Sequence, residues 1–408
     1  MRRLFLLTML CAQALASMAQ QAASDFSFKF YGRIRGDLFY NSRANEESVD
    51  GLFYSYPKDK VLDAAGNDLN ATPQSNFYTI YTRLGVNIGG PKIGTASTSA
   101  NVELDFRGSG STMAVVRLRQ AYVNFDWGKS QVLVGQTWHP LFGEVSPSVL
   151  NLSTGSPFQP FNRSPMVRYR YTGEGGVILT GAAIWQSQYN SDGPDGKSHK
   201  YLKNGMIPEI FAGLDYRGKN WIAGLSADML SISPRQTSKV DGLIYKVNER
   251  VTSFSFEAHA KWTQDLWSLS GKTVLANNLT HCSMPGGFAV TSVDPVTGEC
   301  SYTPFTHSMS WINVVWGSRW QPGIFFGFLK NLGTREKIVG NVYGSGSDVD
   351  RVMNVSAQLS YNISNWKMGV EVMPSTAWYG TLDKADGCVR DTHSVTNWRL
   401  LATFIYTF

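Results

Sequence analysis

The sequence predicts an all-β fold, a transmembrane antiparallel β-barrel of about sixteen strands with short periplasmic turns and long extracellular loops. Three observations predict it: apolar and polar residues alternate in segment after segment, the connections alternate short and long, and tryptophans gather beside the short ones. Composition agrees, with 13% aromatic residues, 39 glycines and only 17% charged residues. After the leader, no apolar run approaches the ~18 residues of a transmembrane helix.

The elements follow in order. Met1-Arg2-Arg3, the apolar run 4–16 and Ser17-Met18-Ala19 read as a signal peptide over residues 1–19, leaving 20–408 as a single barrel domain. The run is too short to cross ~30 Å of hydrocarbon as a helix. Cys11 follows Leu10 rather than a small residue, which argues against a lipoprotein signal. In the first mature strand Phe28, Phe30, Ile34, Leu38 and Tyr40 share one face, and Lys29, Arg33, Arg35 and Asp37 the other. The same alternation sets Val102, Leu104 and Phe106 against Asn101, Glu103, Asp105 and Arg107, and Val167, Tyr169 and Tyr171 against Arg168 and Arg170. It continues to the last segment, where Trp398, Leu400, Ala402, Phe404, Tyr406 and Phe408 oppose Arg399, Thr403 and Thr407.

Strand starts are expected near residues 27, 77, 97, 114, 130, 165, 176, 207, 220, 249, 265, 308, 322, 351, 365 and 396. Short turns fall at 89–91, 128–129, 173–175, 217–220, 263–265, 321–323 and 362–364, most of them with Gly, Pro, Asn or Asp. Long connections fall at 41–76, 139–164, 188–206, 231–248, 277–307, 331–350 and 374–395, with a shorter one near 108–113. Trp127, Trp221, Trp262, Trp267, Trp320 and Trp366 flank short turns, half of the chain's twelve, as an interfacial aromatic girdle requires.

A barrel of about sixteen strands is wide enough for an aqueous channel. Its expected lumen face carries Lys29, Arg33, Arg35, Arg83, Arg117, Arg119, Arg168, Arg170 and Arg399. Since the last strand adjoins the first in a closed barrel, these form a largely contiguous cationic wall, which concentrates anions. Asp37, Glu103 and Asp105 are interleaved and weaken it. The net charge of +6 is thereby placed inside a pore, which does not suggest nucleic-acid binding.

Three cysteines follow the leader; Cys282 and Cys300 share one expected loop and are the expected disulfide, with Cys388 unpaired. No Cys/His spacing signals a metal, no cofactor is implied, and the acidic segment 345–350 reads as a solvated loop. The alternatives are a lipase-like barrel enzyme, a plugged transporter, and an adhesin with a closed pore. No GxSxG or HExxH motif supports catalysis, and only a few residues precede the first strand where a plug would require a globular domain.

The even strand number, the long third connection and the terminal Phe408 resemble the trimeric general and specific porins, and the terminal strand resembles the signal read by the barrel-assembly machinery. Gly135-Gln136-Thr137-Trp138, together with the arginine-rich early strands, resembles the DcaP-type porin family in particular. The resemblance implies passive diffusion of small hydrophilic solutes across the bacterial outer membrane. It also implies a homotrimer in outer-membrane lipid and a preference for small organic anions such as dicarboxylates. Residues 139–164 would be the third loop, which in general porins folds inward to narrow the pore. There Glu144 would face the basic wall, and Arg163 would oppose its effect.

Overall fold

The structure is a computed structural model that describes residues 26–48, 50–107 and 114–408; the expected leader at 1–19, Cys11 and the short connection at 108–113 lie outside the described residues. Sixteen antiparallel strands form one sheet closed on itself. They are β1 Ser27–Asn41, β2 Arg83–Ile93, β3 Ala96–Asp105, β4 Arg117–Asp126, β5 Ser130–Trp138, β6 Arg163–Thr172, β7 Val177–Ile184 and β8 Glu209–Arg217. The second half comprises β9 Trp221–Ile232, β10 Val251–Gln264, β11 Trp267–Asn277, β12 Cys300–Trp316, β13 Trp320–Thr334, β14 Val349–Ile363, β15 Trp366–Leu382 and β16 Val389–Thr407. β16 pairs with β1 from Arg33↔Thr407 to Asn41↔Arg399, so every strand has two neighbours.

The alternation sorts side chains as expected. Phe28, Phe30, Ile34 and Leu38 of β1, Val167 and Tyr169 of β6, and Phe254 and Phe256 of β10 point outward and are exposed, forming the lipid-facing band. Trp221 meets Trp262 across β9 and β10 with ring centres 6.4 Å apart, and Trp267 meets Trp316 at 6.3 Å. Trp320 packs at a tilt against Tyr361 at 4.7 Å, as Trp366 does against Tyr406 at 4.8 Å. These pairs form a belt at the short-turn rim. No helix is long and apolar enough to cross a membrane, which does not bear on a barrel.

Several boundaries differ from expectation. The short turn expected at 321–323 lies at 317–319, and Gln321-Pro322-Gly323 instead pairs within β13 against Ser360, Leu359 and Gln358 of β14. β12 and β16 begin at Cys300 and Val389, and β15 runs on to Leu382, because the alternating pattern continues into segments expected to be loops. The first short turn lies after Ile93 rather than at Gly89-Gly90-Pro91, with a register shift between Gly90 and Ile93 absorbing the proline. The second strand is interrupted: Gln74–Tyr78 pairs with the upper half of β1 and β2 with its lower half, leaving residues 79–82 as a turn between them.

The expected disulfide is not formed. Cys282 is fully buried in a short turn at Thr280–Cys282, whereas Cys300 opens β12 beside Arg235, and both thiols are free. They share a stretch of chain, but one end of it dives into the barrel and the other joins the wall.

Candidate functional site

Cross-strand register assembles the inner wall. Arg33 of β1 faces Arg83 of β2, Arg83 faces Asp105 of β3, and Asp105 faces Arg117 of β4, a row across four strands. Tyr81, in the turn that interrupts the second strand, is buried among these side chains. The guanidinium carbons of Arg33, Arg35, Arg83, Arg107 and Arg119 lie 5.5–5.9 Å from its ring centre. Arg163 adds a further cation, 4.6 Å from the centre of Trp138, with its NH2 group donating to the Tyr189 hydroxyl at 2.6 Å. Stacking on aromatic faces offsets part of the repulsion among like charges.

Carboxylates neutralise part of the cluster. Asp37 accepts from Arg35 at 2.7–3.0 Å, and Glu103 accepts from Arg83 at 3.3 Å and from Arg119 at 2.7 Å. Asp105 accepts from Arg117 at 2.6 Å and from Arg119 at 2.8 Å. Seven guanidinium groups (33, 35, 83, 107, 117, 119 and 163) thus meet three carboxylates (37, 103 and 105). Among the described residues, Arg33, Arg107 and Arg163 have no carboxylate partner. A desolvated cation without a partner is costly, so such a cluster favours an arriving anion.

The third long connection, 139–162, crosses the interior toward the far wall. Lys272 of β11 donates to the Leu141 and Phe142 carbonyls at 2.8 Å, and Trp311 of β12 to the Gln159 side chain at 2.8 Å. The Ser148 amide donates to Asn313, and Gln358 of β14 donates to the Ser148 carbonyl, each at 2.8 Å. The Leu150 and Asn151 amides donate to Glu371 of β15 at 2.8 and 3.2 Å, and Arg35 of β1 donates to the Leu150 carbonyl at 2.5 Å. All of these wall residues point inward. A Cβ at Gly327 would lie 2.3 Å from the Phe158 ring, and one at Gly369 2.6 Å from Leu150, so the wall is cut back where the loop rests on it.

Other long connections also turn inward, the fourth through Tyr189 against Arg163 and Phe161. The first places the hairpin Asn45–Ser48/Phe53–Pro57 over the mouth, with Phe53 edge-on to Phe161 at 5.0 Å. The sixth packs its Thr280–Cys282 turn against the third, the Phe161 amide donating to the Cys282 carbonyl at 2.8 Å. A cavity of about 640 Å³ remains between these loops and the wall, bordered by Arg107, Arg117, Phe161, Gln188, Tyr189 and Lys197.

The expected site residues divide accordingly. Arg33, Arg35, Arg83, Arg117 and Arg119 converge on one cluster. Arg163 joins them as the first residue of β6 rather than as a loop residue. Arg168 lies lower on β6, and Arg170 pairs with Glu144, which also pairs with Arg217. Glu144 is therefore a direct partner of the wall, not a separate opposing charge. Lys29 is exposed near the short-turn rim, opposite Asn87. Arg399 sits under the first loop, 4.6 Å from the Phe39 ring centre and donating to Asn41 at 3.1 Å. Two members of the cluster are not among the expected lumen cations: Arg107, although its parity places it on the face of Glu103 and Asp105, and Tyr81, whose turn conformation no period encodes.

On β8 to β10 the inward charges are mixed, with Glu209, Asp215, Asp228 and Glu257 interleaved with Arg217, His259 and Lys261. Glu257 accepts from Ser226 at 2.7 Å and lies 2.8 Å from His259 and 3.6 Å from Lys272; Asp215 lies 3.2 Å from His259. The excess of guanidinium groups over carboxylates thus lies on the β1–β6 side of the lumen.

No protein-family model and no curated protein sequence matches the chain. Solved structures do. The outer membrane channel DcaP of Acinetobacter baumannii superposes with a TM-score of 0.68 at 16% identity, covering 94% of this chain and 98% of that one. OmpT, an outer membrane protein of Vibrio cholerae, gives 0.56 at 9% identity, covering 94% and 98%. OmpF of Salmonella typhi gives 0.55 at 11% identity, covering 95% and 99%. The likeness at these identities is one of fold.

Proposed function

We propose that the protein is a porin of the bacterial outer membrane through which small hydrophilic solutes diffuse passively, favouring small anions such as carboxylates. The observation that carries this reading is the excess of guanidinium groups around Tyr81 on the β1–β6 wall, beside a cavity enclosed by inward-folded loops. Guanidinium groups offer paired donors that match a carboxylate, and an enclosed low-dielectric setting strengthens their field. The third loop acts as the constriction. The fold shared with the A. baumannii DcaP channel supports a channel, and the OmpT structure in trimer form supports a homotrimer. Export would remove residues 1–19, and the barrel-assembly machinery would insert 20–408.

The test is the reversal potential of purified protein in planar bilayers under a salt gradient. The unaltered channel is expected to be anion-selective. Arg33→Gln, Arg107→Gln and Arg163→Gln together should move the reversal potential toward cation selectivity. Cation selectivity in the unaltered protein would overturn the anion reading. A second reading, a surface binder with a closed pore, is favoured by the loops that fill the interior; absence of any open-channel current would select it.

A further inference from the structure

A second cluster of side chains lies apart from the arginines, where the root of the third loop, the sixth loop and the wall meet. His139 directly follows β5, Glu209 opens β8, Asp228 points inward from β9, and His281 lies in the Thr280–Cys282 turn. All four are buried, with at most 2% exposure. One oxygen of Glu209, Oε1, lies 3.1 Å from Nε2 of His139 and 2.9 Å from Nε2 of His281. Potential ligand atoms of His139, Glu209 and Asp228 all lie within 4.8 Å of one another, as do those of His139, His281 and Cys282.

The internal hydrogen bonds do not satisfy this cluster. Both carboxylate oxygens of Asp228, the second oxygen of Glu209 and Nδ1 of His281 are buried without a partner. A carboxylate buried without a protein partner is among the most costly groups to bury, and a cation is its direct remedy. The donor spacing fits one. Two ligands held about 2.0–2.1 Å from a tetrahedral zinc are separated by about 3.3 Å, close to the two observed edges at Glu209.

We propose that His139, His281, Glu209 and Asp228 bind one divalent transition-metal ion of the zinc type, which ties the third and sixth loops to β8 and β9. Two imidazoles with two carboxylates suit zinc better than the all-oxygen shells preferred by magnesium or calcium, and the adjacent Cys282 thiol deepens that bias. The Leu141 amide donates to Nδ1 of His139 at 3.2 Å, so His139 carries its proton on Nε2 when no metal is bound. Loading moves that proton to Nδ1 and requires the Leu141 amide to swing away. A small rearrangement at the root of the constricting loop is therefore part of binding. No sequence spacing announces such a site, because its ligands come from four separate segments.

The test uses full-length barrel in detergent, stripped with chelator and titrated with Zn²⁺, in parallel with Co²⁺ followed by absorption. One Zn²⁺ per chain and the intense visible bands of tetrahedral cobalt are expected. Asp228→Asn and His281→Gln should each weaken Zn²⁺ binding by at least about tenfold. Zn²⁺ should raise the heat-denaturation midpoint of the unaltered protein and leave that of Asp228→Asn unmoved. Sub-stoichiometric binding to the unaltered barrel overturns the proposal without recourse to any variant. Binding that persists undiminished in both folded variants overturns it as well.

Discussion

Arg119 and Arg163 are both fully buried arginines on the same wall, yet they stand in opposite electrostatic positions. Arg119 bridges Glu103 and Asp105, so its removal takes one of two guanidinium partners from each carboxylate, whereas Arg163 has aromatic faces and the Tyr189 hydroxyl as its partners. Breaking a buried pair from one side costs about 3–5 kcal/mol. Arg119→Ala is therefore expected to lower the heat stability of the barrel sharply. Arg163→Gln removes an uncompensated charge, so it should leave stability nearly unchanged while shifting the reversal potential toward cations. Heat-denaturation midpoints and bilayer reversal potentials measured on both variants check the contrast. Equal losses of stability would contradict the assignment of partners.

The third loop is fixed to the wall as an element by polar anchors, beside the turns and hydrogen bonds that it forms within itself. Glu371 is the most demanding of these, accepting two loop amides from within the wall. Both amides reach the same oxygen, Oε2, so Glu371→Leu, which removes that acceptor, should loosen that end by about 1–3 kcal/mol. The expected readout is a larger and noisier single-channel conductance; an unchanged conductance would show that this segment does not limit the pore. The first and seventh loops carry a pH dependence of their own. Burial pushes the carboxyl of Glu47 above its ordinary value, with Asp50 adding to the shift against Arg399, and burial does the same to Asp348, with Asp59 adding. The docked state then holds the proton more tightly than the undocked one. Docking is strongest where both forms are protonated, and it weakens as pH rises from about 4 through the raised values. Amide hydrogen exchange in 45–57 and 342–349 should accelerate across that window after correction for intrinsic rates. A flat corrected profile would count against it.

At the scale of the whole molecule, stability depends on closure between β16 and β1. Gly32 lies at that seam, its amide donating to the Phe408 carbonyl at 2.9 Å and its carbonyl accepting from the Phe408 amide at 3.0 Å. A Cβ there would lie 2.6 Å from the backbone oxygen of Arg83 and 2.7 Å from the Phe408 ring. The ring can move but the backbone oxygen cannot without breaking the sheet. Gly32→Val should therefore lower the temperature at which the folded band is lost in SDS gels. Retention of the original temperature would mean that closure does not depend on this contact.

Strand number, the inward or outward sense of each side chain and the position of the aromatic belt were legible in the sequence. A two-residue period and a tight turn are local properties, and they repeat often enough along this chain to correct one another. Parity alone placed Arg33, Arg83, Arg119 and Arg399 on the inner face, where the structure has them. Parity also carried strands β12 and β16 farther than loop-like composition suggested. The tertiary structure alone decided which arginines keep a free charge, because that depends on register across four strands and on Tyr81 turning inward between two strand pieces. It alone separated Cys282 from Cys300, and it alone brought His139, Glu209, Asp228 and His281 together. The physical reason is the same in each case: contacts across a lumen depend on where long loops come to rest, and no local period encodes that.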